Sequence, residues 1–212
     1  MNQSKPWEYD IENEKIFIYD GDKAEKLNDN SPIFIQIINI FTNQQQQGKF
    51  KMETISLINN EISSMGIYNF VGKLLVTQTT LKNLIFSNNL LDINGLQTLS
   101  SGIKICLVTY LDLSDNKINP NKDVNFHAAF YNLLGPPSSL TYLNLSGNKL
   151  TDLGGELIFK YLKENTKITN IQLKNTFLTS AITKNISKGN KKKKKACSIF
   201  IFHYHNLKKK SN

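Results

Sequence analysis

The chain has 212 residues, with 26 lysines, no arginine and 17 acidic residues, for a formal net charge of +9. That length fits one domain. The missing arginine argues against recognition that needs a planar bidentate cation, such as guanine reading or an arginine finger. Two cysteines, Cys106 and Cys197, give no disulfide framework and point to a reduced compartment. No run approaches the roughly 20 apolar residues of a membrane helix.

The charge is unevenly placed. After Glu164 there are twelve lysines and no acid, while residues 1–164 hold 14 lysines against 17 acids. The body is therefore mildly acidic and the positive charge belongs to the C-terminal end.

The N-terminal stretch MNQSKPWEYD has no apolar segment of the kind a secretory signal needs, so a cytoplasmic protein is expected. Ile16 to Tyr19 reads as a strand. Ser31-Pro32 then opens an apolar helix through Phe34, Ile35, Ile38 and Phe41, with Ser31 as N-cap and Pro32 at its first position. Residues 1–48 are read as a lead-in plus a degenerate capping half-repeat, with Trp7 and Tyr9 folding back over it.

From residue 49 the chain repeats itself. Five copies align as Met52-Ile55-Leu57-Asn60-Ile62, Leu81-Leu84-Phe86-Asn89-Leu91, Val108-Leu111-Leu113-Asn116-Ile118, Leu140-Leu143-Leu145-Asn148-Leu150 and Ile168-Ile171-Leu173-Thr176-Leu178. Their anchors are 29, 27, 32 and 28 residues apart, and every copy is apolar at offsets 0, 3, 5 and 10. A chain that is 40% hydrophobic does not do this by chance.

Offsets 3 and 5 alternate as in a short strand and point inward, leaving offsets 2, 4 and 6 outward. The asparagine at offset 8 sits where the chain leaves the strand. There its amide can pair backbone groups that would otherwise be buried alone. Asn60, Asn89, Asn116 and Asn148 are therefore read as a structural ladder, not as ligand contacts.

The second half of each unit carries a helical stripe, such as Ile67, Phe70, Val71, Leu74 and Leu75, or Phe126, Ala129, Phe130, Leu133 and Leu134 before Gly135-Pro136-Pro137. Leu96, Leu99 and Ile103 form a shorter stripe, and Ile158, Tyr161 and Leu162 another. Gly66, Gly95 and Gly154 recur at offset 14, where a helix must start close to the sheet.

The string LTYLNLSGNKLTDLGGELIFKYLK (residues 140–163) resembles the leucine-rich repeat, and units of 27 to 32 residues with a full helix resemble its ribonuclease-inhibitor type. The resemblance covers about residues 50 to 188. It implies an α/β solenoid arc with a parallel sheet on the concave face and helices on the convex face, since helices need more width than strands. The repeat block is set at residues 49–188. The resemblance also implies a non-catalytic scaffold for a protein partner, in the cytoplasm or on a cytoskeletal or ciliary assembly. Ran GTPase activators use the same repeat, so regulation of a small GTPase is the alternative, although no motif residue of theirs can be matched.

Residues 189–212 read as a polybasic tail, KKKKKACSIFIFHYHNLKKKSN after Asn190. Lys191, Lys192, Lys193, Lys194 and Lys195 could meet an anionic surface or act as a nuclear localisation signal. Alternatively Ile199, Phe200, Ile201, Phe202 and Tyr204 form a capping strand, or the stretch is an inert tail or a gene-model artefact.

No P-loop, nucleophile elbow or zinc-protease motif is present, so no catalytic residue, cofactor, metal or small-molecule substrate is expected. His127 reads as a surface helix residue, and Cys197 with His203 and His205 lacks paired ligand spacing. The candidate partner-binding residues lie on the outward strand positions: Tyr110, Asp112, Tyr142, Asn144, Asn170 and Gln172. Tyr110 and Tyr142 fall at the same offset in successive units, and two rigid aromatics beside polar groups suit a binding hot spot.

Overall fold

The computed structural model describes residues 7–9, 16–48, 52–73, 75, 80–120, 126–136, 138–191 and 198–200. Strand and helix alternate along the chain. β1 (Trp7–Tyr9) and β2 (Ile16–Asp20) precede α1 (Pro32–Gln46). β3 (Thr54–Ile58), α2 (Ser64–Lys73), β4 (Asn83–Ile85) and α3 (Ile93–Ile103) follow, then β5 (Tyr110–Asp112) and α4 (Phe126–Leu134). β6 (Tyr142–Asn144), α5 (Thr151–Leu162), β7 (Asn170–Gln172), α6 (Ser180–Lys191) and β8 (Ser198–Phe200) complete the order.

The strands form one sheet in sequence order, β1 to β8. β2 to β8 pair in parallel, and β1 turns back antiparallel on β2 with Trp7 opposite Tyr19. Each parallel pair joins equal offsets, as in Ile55 with Leu84 and Leu84 with Leu111. This is an α/β leucine-rich-repeat solenoid arc.

The core lies between sheet and helices. Ile55, Leu57, Leu84, Phe86, Leu111, Leu113, Leu143 and Leu145 are all fully buried from the strand side. Ile67, Phe70, Leu96, Leu99, Ala129, Phe130 and Ile158 meet them from the helices. Phe70 packs edge-on against Phe86, with ring centroids 5.2 Å apart. Leu74 lies outside the described residues, as do Lys192 to Lys195 and Cys197. Cys106 is buried, and its thiol donates to the Leu75 carbonyl at 2.6 Å.

The array extends on both sides of the block 49–188. In β2, Phe17 and Tyr19 take the two inward positions, and Leu27 stands where Ile62 and Leu91 stand later. The backbone shows the equivalence: Glu61 N donates to Leu27 O at 2.8 Å, Leu90 N to Ile62 O at 3.0 Å and Lys117 N to Leu91 O at 2.8 Å. At the other end α6 runs to Lys191, and the β8 backbone pairs with β7 from Asn170↔Ser198 to Gln172↔Phe200.

The asparagines at offset 8 each serve the unit before their own. Asn89 accepts from Ile62 N at 3.1 Å and donates to Leu57 O at 2.7 Å. Asn116 accepts from Leu91 N at 3.0 Å and donates to Phe86 O at 2.8 Å. Asn148 accepts from Ile118 N at 3.0 Å and donates to Leu113 O at 2.8 Å. Thr176, in the fifth copy, has no amide to offer and instead donates to its own unit's Leu173 O at 2.8 Å.

One residue earlier, at offset 7, the backbone turns left-handed in every copy. Asn59, Asn88, Asp115 and Asn175 have φ between 53° and 58°, and Gly147 has φ 74°. Asn, Asp and Gly are the residues that tolerate this conformation at least cost. The turn releases each strand into the crossing toward its helix.

Helix starts are bound to neighbouring units. Asp92 caps α3 by accepting from Asn94 N at 2.8 Å and Gly95 N at 3.1 Å, and it also accepts from the Ser64 hydroxyl. Asp29 accepts from Ser63 N at 2.8 Å, and Asp152 from Thr179 N at 2.7 Å. Gly66 and Gly95 lie so close to the preceding unit that a Cβ would fall 2.4 Å from Asp29 Oδ1 and 2.7 Å from Ser64 Oγ. Ser31 departs from the expected cap: its hydroxyl is buried without a hydrogen-bond partner among the described residues, and its carbonyl takes Ile35 N at 3.1 Å. Pro32 supplies no N–H, so α1 starts from that rigid residue and the backbone turn Ser31 N to Asn28 O at 3.0 Å.

Candidate functional site

The outward strand positions form rows across the concave sheet. The first row runs Ile16, Thr54, Asn83, Tyr110, Tyr142 and Asn170, and the second Ile18, Ser56, Ile85, Asp112, Asn144 and Gln172. Parallel pairing of equal offsets brings the six sequence-selected residues onto β5, β6 and β7 as one block. Each is half-buried.

Tyr110 and Tyr142 lie side by side in the first row and stack nearly parallel, with centroids 4.1 Å apart and planes 5° apart. Adjacent strands are about 4.8 Å apart, so two rings standing on paired positions must touch face to face. The stack hides the inner ring faces and leaves both residues half-buried. Burial, together with the hydrogen bond and charge interaction with Tyr110 and the nearby Asp112 carboxylate, pushes the Tyr142 hydroxyl well above the usual tyrosine pKa. It stays protonated at any physiological pH.

The second row is held by its own bonds. Asn144 Nδ2 donates to Asp112 Oδ2 at 3.0 Å, and the other Asp112 oxygen takes Ser114 N at 2.9 Å and Ser114 Oγ at 2.7 Å. Asn144 Oδ1 accepts from Ser146 N at 3.1 Å. Toward the N-terminal side Asn83 donates to Thr54 Oγ1 at 2.8 Å. Beyond Tyr142, Asn170 Oδ1 is buried with no hydrogen-bond partner among the described residues. These bonds fix the side chains before anything binds, which lowers the ordering cost of association.

The structure adds residues that the repeat alignment left out of the site. Because β2 continues the sheet, Ile16 and Ile18 join Ile58 and Ile85 on the concave face, and Ile16 is 42% exposed. The surface therefore has an apolar N-terminal part beside the tyrosines and a polar C-terminal part. The alternation of Ile16, Phe17, Ile18 and Tyr19 carried that signal, but both faces of the strand are apolar, so the pattern alone does not say which face is outward.

The ladder residues Asn60, Asn89, Asn116 and Asn148 are buried behind the sheet and lie apart from this face. His127 is exposed on α4 and packs its ring against Phe126 with centroids 4.7 Å apart. Among the described residues no group of His, Cys, Asp or Glu is arranged to hold a metal ion. No described helix is long and apolar enough to cross a membrane.

Residues 104–121 and 137–159 match the family described as Leucine Rich repeat. No curated protein matches the chain. Among solved structures, the chain is similar in fold to one titled Leiomodin-1 Actin-Binding Site 2 (ABS2), with a TM-score of 0.58 and 19% sequence identity. The likeness covers 75% of this chain and 88% of that one. The repeated anchors, the parallel strand row, the asparagine ladder and these two likenesses agree on the fold, which is that of a leucine-rich-repeat array.

Proposed function

We propose that the concave strand face holds a protein partner, with the Tyr110–Tyr142 stack at its centre and Asp112, Asn144, Asn170 and Gln172 around it. The stacked pair carries the proposal. Tyrosine offers large contact area with few rotatable bonds, and such residues dominate the energetics of protein interfaces. Here the neighbouring strands have already ordered them. Ile16, Ile18, Ile58 and Ile85 would receive apolar side chains of the partner, and the tyrosine hydroxyls would meet its polar groups. The function is that of a scaffold without catalysis.

The unit length of 27 to 32 residues supports placement in the ribonuclease-inhibitor class of repeats. The leiomodin-1 fragment of similar fold is named for binding actin. Actin is therefore the first partner to try, and a cytoplasmic, cytoskeletal site of action goes with it. Regulation of a small GTPase, the alternative, rests on no residue of this face.

The test is co-sedimentation of the purified chain with filamentous actin, beside capture of partners from lysate, for the wild type and the double substitution Tyr110→Ala, Tyr142→Ala. Loss of two such anchors should weaken binding at least about tenfold, with the circular dichroism unchanged. Equal capture by both proteins would overturn the concave-face reading, whereas binding to other proteins but not to actin would redirect only the partner.

A further inference from the structure

We propose that the rim where the strands leave the sheet binds an acidic amphipathic helix of a partner protein, on a row formed by Leu90, Lys117, Lys149 and Phe177. The row is separate from the concave strand face. Its four residues occupy offset 9 of the second to fifth copies, next to the buried ladder position at offset 8. Leu90 is 41% exposed and Phe177 69%, and both lysines are exposed.

Bonds between units hold the row in line. Leu90 N donates to Ile62 O at 3.0 Å and Lys117 N to Leu91 O at 2.8 Å, so each lies on the unit before it. Asn148, beside Lys149, accepts from Ile118 N at 3.0 Å. Thr151 N donates to Thr176 O at 3.1 Å, which ties the residue before Phe177 to the fourth copy. The side chains of the row are thus carried outward on a fixed backbone, which lowers the ordering cost of binding.

Along the row the chemistry runs apolar, basic, basic, apolar. Among the described residues neither lysine side chain forms an ion pair. Asp115, two residues before Lys117, has its Oδ1 turned to Gly147. Ahead of Leu90, the exposed residues Lys26 and Glu61 carry one charge of each sign. Like charges on neighbouring units repel, and carboxylates from a partner would relieve that. Phe177 adds a second observation. Its φ is 60°, a conformation that bulky residues avoid, and among the described residues offset 9 is left-handed in no other copy. An exposed ring on a strained backbone gives little to this chain's own core, and such strain gathers where ligands are held.

A helix is the occupant whose spacing fits. Neighbouring strands are about 4.8 Å apart, close to the roughly 5.4 Å between successive turns of a helix. Every second residue of an extended strand would advance about 6.6 Å instead. A helix laid along the row can therefore offer one side chain to each unit: apolar to Leu90, carboxylates to Lys117 and Lys149, apolar to Phe177. A row one residue wide gives a flat lipid surface far less to hold.

Fluorescence anisotropy with the full chain and a labelled synthetic peptide tests this. The probe is an alanine-rich helix of roughly 18 residues with leucine, glutamate, glutamate and leucine at i, i+4, i+7 and i+11 of one face. It should bind the wild type, and Lys117→Glu with Lys149→Glu should weaken it at least roughly tenfold. A second peptide with lysine for both glutamates should show the reverse preference. Leu90→Asn with Phe177→Asn should also weaken the first peptide at least about tenfold. That variant should keep the melting temperature of the wild type or exceed it, since asparagine tolerates φ 60°. Circular dichroism checks that the lysine variant stays folded. The proposal is overturned if the wild type ignores the first peptide, or if the lysine variant binds it equally, as attachment through other lysines would give. A lower melting temperature for the asparagine variant would assign the apolar pair to this chain's own packing and overturn it too. So would sedimentation with phosphatidylserine vesicles in place of peptide binding.

Discussion

The Leu27 amide donates to Asn60 Oδ1 at 2.8 Å across 33 residues of sequence, the same bond that joins Ile62 to Asn89 and Leu91 to Asn116. It places β2 and α1 in register with the repeats even though the loop after β2 is longer. Because buried backbone groups depend on each rung, replacing one should be costly. Asn116→Ala would strand Leu91 N–H and take a bond from the Phe86 and Leu113 carbonyls, while the Ser114 carbonyl keeps Asn88 N at 2.9 Å. The expected loss is roughly 3 kcal/mol, read as a lower urea midpoint at unchanged slope.

Asp92 should make stability depend on acid pH. Burial raises its pKa, but the bonds from Ser64, Gly95 and Asn94 outweigh that and hold it below the ordinary 3.8. A depressed folded value means that the contribution is present above pH 3.8 and is lost as pH falls through the folded pKa. Asp92→Ala should cost about 1 kcal/mol near neutrality, and the gap to the wild type should close in denaturation series taken toward pH 3 and below.

Tyr142 should behave in the opposite sense. Its folded pKa lies above the ordinary 10.0, so the stabilisation is complete below pH 10.0 and is lost as pH rises toward the folded value. Tyrosinate absorbance should show late-titrating tyrosines, with Tyr19, also raised chiefly by burial, beside Tyr142. Tyr142→Phe should remove one late step and leave the other. An unchanged titration would refute the stacked, half-buried environment.

Gly147 is held at φ 74°, and a Cβ there would fall 1.9 Å from Asp115 Oδ1. Gly147→Ala should therefore destabilise by about 1–2 kcal/mol, combining left-handed strain with a contact that forces Asp115 to move. Adding Asp115→Gly, which tolerates the φ of 54° held at that position, should recover the steric part and leave the strain at residue 147. Thermal melts of the single and double variants separate the two.

Much of this was legible because a repeat averages away ambiguity. Offsets 3 and 5 fixed the inward strand positions, and equal offsets in neighbouring units put Tyr110 beside Tyr142. Other features lacked such support. Leu27 was hidden by a longer turn through Gly21, Asp22 and Lys23, and that unit has Asp22 where four of the five later copies have asparagine. Ile16 and Ile18 could not be told from Phe17 and Tyr19 by hydrophobicity, because the strand is apolar on both faces. The left-handed row of Asn59, Asn88, Asp115, Gly147 and Asn175 was written in residue types but stood next to the more regular ladder. Whether a hydroxyl such as that of Ser31 meets an amide is a matter of local angles, which spacing does not encode.

The asparagine ladder also gives the array a direction. Every rung reaches back to the unit before it, so the asparagine of each unit completes the backbone of the preceding one. Trimming from the N-terminal side leaves an asparagine with only its own unit's carbonyls to hold. Trimming from the C-terminal side strips the preceding unit of the groups that pair its own amides. The Thr176 hydroxyl holds only its own strand, and Leu150 N turns to Asn148 O at 3.0 Å instead of a fifth asparagine. The structure is thus a zipper with one slider end, and fraying should start where the asparagines stop.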